Sequence, residues 1–251
     1  MNVDVRFRLV WSLSVLLLAC APSSPGAATN AASPSALATN AATIATPKGS
    51  AWRAMHRHDA ELAAQGGIDL LFLGDDAAFG WPRQGEAFWN QKLKTMNPAA
   101  FGIPLDRSEN LLWRLQNGEL ANLRPKTVVL SIGSMNLQWV SDEGTPEATA
   151  EGVKTVLDEL RTRLPQTRIV LMSILPRQPQ FLPLQHRVRL TNKILAGFAD
   201  GKQILFLGIN DRLCKASDKN PDPEFYEPDM LHLNAKGYAV WGEELLKLLK
   251  E

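Results

Sequence analysis

Two carboxylates stand side by side in LFLGDDAAFGW, Leu71 to Trp81. An apolar run of strand length leads into them, and small residues follow. One acidic residue at a strand end is common. Asp75 and Asp76 together, ahead of a Gly-Trp, mark a candidate site. Far along the chain, DMLHLNAKGY places Asp229 and His232 three residues apart. Asp75, Asp76, Asp229 and His232 could supply oxygen and nitrogen ligands to a metal ion. A carboxylate at a strand tip could also act as a nucleophile.

What brings these residues together is an alternation of elements. Helical spacing runs over Trp52 to Ala63, Glu86 to Leu93, Arg107 to Gln116, Pro146 to Leu164, Leu184 to Phe198 and Gly237 to Leu249. Continuous apolar runs at Ile68 to Leu73, Thr127 to Ile132, Arg168 to Leu175 and Gln203 to Leu207 read as strands. Strands without polar alternation are buried on both faces, the mark of a parallel sheet covered by helices. The expected fold is a three-layer α/β/α domain of the flavodoxin-like kind, with a parallel sheet of about five strands. Ligands gather at the carboxyl ends of such strands. That singles out the turns after Leu73 and Ile132 and the loop that returns to meet them.

The start of the chain reads differently. Arg6 and Arg8 precede a short apolar core, Leu9 to Leu18, that ends in Leu-Ala-Cys20. The core is too short for a comfortable membrane span. It resembles a bacterial lipoprotein signal, with cleavage before Cys20 and lipid attached to it. The expected divisions are a signal over residues 1–19, a tether rich in Ala, Ser, Thr and Pro over 20–50, and a domain over 51–251. Removing residues 1–19 takes away Arg6, Arg8 and Asp4, so 27 basic and 26 acidic residues become 25 and 25. That balance gives no case for a nucleic-acid partner. The implied partners are a small acyl- or acetyl-ester-like molecule and, through Cys20, a membrane; the location is the bacterial envelope. Cys214 reads as a half-buried structural thiol. His56, His58 and His186 read as surface residues.

Four blocks in order resemble the SGNH, or GDSL, hydrolases. They are LFLGDDAAFGW, FGIPLDRSENLLWRLQNGEL (Phe101 to Leu120), RPKTVVLSIGSMN (Arg124 to Asn136) and DMLHLNAKGY. The second block is similar to the platelet-activating factor acetylhydrolase β/γ-type subfamily. The resemblance spans nearly all of the chain from Gly67. It implies a serine nucleophile in the first block and, in the last, a histidine base oriented by an aspartate. It also implies an oxyanion hole built from the nucleophile's N–H, a glycine N–H and an asparagine side chain. No cofactor is implied.

Carried over residue by residue, three of those positions are substituted. Asp76 stands at the serine position, Leu105 at the glycine and Met135 at the asparagine; Asp229 and His232 match. A carboxylate attacking an ester would form a reactive anhydride. Leu105 keeps an N–H, but its side chain could fill the space a glycine leaves open. The Met135 side chain has no hydrogen-bond donor at all.

The leading expectation is therefore a non-catalytic binding protein in which His232 sits in a buried cluster with Asp76 and Asp229. One alternative is an active hydrolase of the acyl-ester class, rescued for example by Asn136. Another uses Asp76 as nucleophile toward a saturated carbon, with His232 and Asp229 activating water. The last is a metal-binding module. Trp139 is a candidate ligand contact. Arg177, Gln178 and Gln180 are candidates in a loop that otherwise reads as solvated.

Overall fold

The computed structural model describes residues 39–138, 144–178 and 182–250. Cys20, Trp139 and Gln180 lie outside the described residues. Helix α1 spans Ser50–Gln65 and strand β1 Leu70–Gly74. A one-turn helix α2, Asp76–Phe79, follows, then α3, Glu86–Phe88, which runs into a π turn at Trp89–Leu93. The order continues with β2 (Pro98–Gly102), α4 (Ser108–Gln116), β3 (Thr127–Ser131), α5 (Pro146–Arg163) and β4 (Arg168–Met172). It closes with α6 (Leu182–Ala196), β5 (Ile204–Leu207), α7 (Asn210–Leu213) and α8 (Ala235–Leu248).

The five strands form one parallel sheet in the order β2-β1-β3-β4-β5. Successive side chains on a strand point to opposite faces, and both faces here are covered. Leu71 and Leu73 join one core with Leu111, Val153, Val156 and Leu157, from α4 and α5. Leu70 and Phe72 join the other with Trp81, Tyr238, Trp241 and Leu245, from the first turn and α8. This explains the unbroken apolar runs: every residue of β1 and β3 is buried.

Two expectations change. Strand β2 was not among the apolar runs, because PAAFG carries neither β-branched residues nor alternation. Its place at the sheet edge tolerates Pro98, and Gly102 is required there. A Cβ on Gly102 would stand 2.1 Å from the Phe79 nitrogen and 2.7 Å from the Asp75 oxygen, so the chain carrying Asp76 lies directly on β2. Packing also begins before the expected domain start at Ala51. Asn40 donates to the Ala148 carbonyl (2.8 Å), Thr46 N–H donates to the Glu109 carbonyl (3.0 Å), and Ala42 is buried. Small residues such as Ala42 let this segment lie flat on α4 and α5. A segment can pack without any hydrophobic periodicity of its own.

Candidate functional site

The first-block turn is built by caps. Asp75 follows β1 and N-caps α2, accepting from the Ala77 N–H at 3.2 Å. Its other oxygen accepts from Ser134 Oγ at 2.6 Å. It is buried, and burial followed by the charge of Asp76 pushes its carboxyl up to about 7. Asp75 is thus a structural member of the turn. The aromatic layer beneath holds that turn in place: Trp81 packs on Phe72, Tyr238 and Trp241, and Tyr238 Oη donates to the Ala77 carbonyl at 2.8 Å.

Asp76 opens α2 and faces the cleft. Its Oδ2 accepts the Leu105 N–H at 2.9 Å, and its Oδ1 lies 3.6 Å from His232 Nε2. On the other side of the ring, His232 Nδ1 meets Asp229 Oδ2 at 2.6 Å. Asp229 Oδ1 accepts the backbone N–H groups of Leu231 and His232. Burial opposes charge on His232, but the hydrogen bond and charge of Asp229, backed by Asp76, raise it above its ordinary value. Burial likewise works against an ionised Asp229, yet the bonds from His232 and Leu231 hold it below the usual carboxylate range. The expected trio forms, but it is not buried. Side-chain exposures are 22% for Asp76, 39% for His232 and 48% for Asp229.

Leu105 corrects a second expectation. Its φ is +64°, the left-handed conformation that favours glycine. The backbone therefore keeps its glycine-like shape and aims its N–H at the site. The side chain is 59% exposed and does not fill the cleft. Lys48 Nζ donates to the Leu105 carbonyl and helps hold this turn.

Met135 is buried, with its sulfur 3.9 Å from both Nη atoms of Arg177. Asn136 offers no rescue. Its Oδ1 accepts from Ser108 N–H at 3.0 Å, and its Nδ2 donates to Glu109 at 2.9 Å and Ser108 Oγ at 3.2 Å. The amide is spent anchoring the N-terminus of α4. With these partners filled, the turn at residues 134–138 does not present the Asn136 amide to the cleft. The metal reading also loses its support: among the described residues, no three His, Cys, Asp or Glu side chains converge on a metal-sized position.

Arg177 is a candidate from the sequence that the structure places in the cleft, against the solvated reading of its loop. It is 6% exposed and lines a cavity of about 40 Å³ together with Asp76, Ser134 and His232. The available signal was position: Pro176 stops the run of β4, which puts Arg177 at the carboxyl end of a strand, where ligands gather. His56 is likewise buried, not a surface residue. Its Nδ1 lies 2.6 Å from Glu119 Oε2. It belongs to a cluster around Arg114, which is fully buried and donates to the carbonyls of Gly74 (2.9 Å) and Phe101 (3.1 Å). Arg114 also pairs with Asp106 at 3.0 Å and with Glu119. This cluster fixes the carboxyl ends of β1 and β2, and with them the Asp76 turn. His58 and His186 are exposed. Cys214 is partly buried, and burial pushes its thiol up to about 11.

The fold is a three-layer α/β/α domain of the SGNH-hydrolase kind, and its site sets the His232–Asp229 pair opposite the Asp76 carboxylate. The chain belongs to the GDSL-like lipase/acylhydrolase family, whose model matches residues 72–240. It is 31% identical over 184 residues to human platelet-activating factor acetylhydrolase IB subunit alpha2, covering 73% of this chain and 76% of that protein. It is 34% identical over 150 residues to the Drosophila melanogaster platelet-activating factor acetylhydrolase IB subunit beta homolog, covering 60% and 64%. In structure it resembles a GDSL-like lipase from Bacteroides thetaiotaomicron, with a TM-score of 0.64 at 18% identity over 78% of this chain and 97% of that one. It also resembles a lipase/acylhydrolase from Enterococcus faecalis, with a TM-score of 0.58 at 18% identity over 72% and 94%.

Proposed function

We propose that this chain is a family member that holds a small acyl ligand without hydrolysing it. One observation carries the reading: the Asp76 carboxylate accepts the Leu105 N–H at 2.9 Å. The group at the nucleophile position and one oxyanion donor satisfy each other. An incoming carbonyl meets neither a neutral hydroxyl nor an open N–H at that point. Met135 adds no replacement donor of its own. Removing one such donor costs about 10²–10³ in rate, and removing a triad nucleophile costs about 10⁶. The relatives named for acetylhydrolase, and the small cavity, both suggest a short acyl group as ligand.

A second reading keeps catalysis with Asp76 as nucleophile toward a saturated carbon. Its support is His232 Nε2 at 3.6 Å from Asp76. Asp229 and Asp76 raise His232, so the ring keeps its proton to a higher pH than a free imidazole, which works against its taking one from water.

The two separate in one assay series. Short-chain p-nitrophenyl esters and alkyl halides are offered to the wild type and to His232→Ala. The binding reading expects no His232-dependent turnover of either. Ester turnover lost in His232→Ala rejects it. Turnover of an alkyl halide in heavy-oxygen water that labels Asp76 establishes the second reading.

The location belongs to the same proposal: a lipid-anchored protein of the bacterial envelope, supported by the Leu-Ala-Cys20 pattern. Radiolabelled palmitate should enter the wild type and not Cys20→Ser. Equal labelling of both would reject the anchor.

A further inference from the structure

The loop after β4 places a cation against the residue that has lost its donor. Both Nη atoms of Arg177 lie 3.9 Å from Met135 Sδ. Arg177 lines the cavity whereas Met135 does not, and Ser134, whose carbonyl accepts from Arg177 Nη2, lines it as well. We propose that Arg177 is the ligand-binding donor of the cleft, taking the oxygen of a neutral acyl carbonyl in place of the amide absent at Met135. This rests on the reading of the cleft as an acyl-binding site.

The donors of Arg177 are incompletely filled. Nη2 donates to the Ser134 carbonyl at 2.7 Å and to Gln138 Oε1 at 3.3 Å. Nη1 has the thioether, a weak acceptor. Among the described residues Nε, enclosed from solvent, meets no hydrogen-bond partner. A buried guanidinium with unused N–H groups is costly, and a carbonyl oxygen relieves that cost. The residue is also held in advance. Gln185 donates to its carbonyl, Tyr226 Oη donates to the Pro176 carbonyl, and Gln178 N–H donates to the Met230 carbonyl at 2.9 Å. The last contact joins this loop to the segment that carries His232.

Charge and size narrow the ligand. Arg177 and His232 stand against Asp76 and Asp229, and burial with the neighbouring Asp76 leaves Asp75 titrating at about 7. A neutral carbonyl enters without disturbing that balance. A carboxylate adds a negative charge beside two aspartates. About 40 Å³ holds roughly three water-sized positions, enough for an acyl group of two or three carbons. With the Leu105 N–H already taken, Arg177 stands with Ser134 and His232 among the cavity-lining residues whose side chains carry donors.

Ligand-observed NMR on the purified protein, with N-methylacetamide and acetate as probes, tests this. The wild type should bind N-methylacetamide, and acetate more weakly. Arg177→Met should lose about tenfold or more in affinity, and Met135→Asn in that background should regain it. Unchanged binding in Arg177→Met, or no recovery in the double variant, overturns the role of Arg177 and leaves the acyl cleft standing. Tighter binding of acetate overturns the neutral-carbonyl assignment. Binding of neither probe by the wild type overturns both this role and the acyl cleft. Near-UV circular dichroism checks the fold. If Arg177→Met is unfolded, Arg177→Leu takes its place, since it too removes the donors; a tenfold loss there supports the role and full affinity overturns it.

Discussion

Asp76→Ser should create an esterase, and Leu105→Gly should then add almost nothing. A triad nucleophile is worth about 10⁶ in rate. The amide missing at Met135 takes back about 10²–10³. The single change should therefore raise kcat/KM on p-nitrophenyl acetate by about 10³–10⁴ over the wild type, all of it lost in Asp76→Ser/His232→Ala. The serine hydroxyl is shorter than the aspartate, so the 3.6 Å gap to His232 Nε2 must close by a small shift of the ring. Such contacts tighten when substrate binds. The second half of the prediction comes from Leu105. Its backbone already has the glycine conformation at φ +64°, and its N–H already holds an anionic oxygen at 2.9 Å. That oxygen stands where a developing oxyanion would form. Restoring glycine changes only an exposed side chain, so kcat/KM should move by less than about fivefold. A 10²–10³ gain on adding Leu105→Gly would mean that the N–H is not in place, and would refute the reasoning.

Arg114→Met should be severely destabilising, by about 3–5 kcal/mol in urea denaturation, because it strands Asp106 and Glu119 without their buried cation. A loss under about 1 kcal/mol would show that the cluster does not hold the strand ends. Gly74→Ala should fail to fold or lose several kcal/mol, since its Cβ would stand 1.8 Å from the Ser131 carbonyl oxygen at φ +147°; near-parental stability contradicts the β1–β3 register. Burial and the charge of Glu119 push Asp59 up to about 8. Its folded value lies above the unfolded one near 3.8, so this contribution is full below about pH 4 and is lost as pH rises toward 8. Asp59→Asn should therefore be more stable than the parent at pH 8.5 and show no such gain at pH 4; equal stability of the two at pH 8.5 removes Asp59 from the pH response.

The chain order of types settled much of this molecule. Apolar runs at β1, β3 and β4 announce strands covered on both faces, because a parallel sheet between helix layers buries such runs. Strand β2 was illegible, since an edge strand of Pro, Ala and Gly buries too little to need an apolar pattern. The identities Asp76, Leu105, Met135, Asp229 and His232 announced both the site and its losses. What those losses mean was decided by tertiary structure. A residue type says whether a donor or nucleophile exists, while backbone conformation and contacts say where it points. Leu105 looked like a blocked glycine, yet its left-handed backbone aims the N–H and sends the side chain to solvent. Asn136 looked like a spare amide, yet α4 consumes it. Arg177 looked solvated, yet loops distant in sequence press it against Met135. Side-chain chemistry is local to the sequence; direction and burial depend on contacts between residues far apart along the chain, and only the folded chain supplies them.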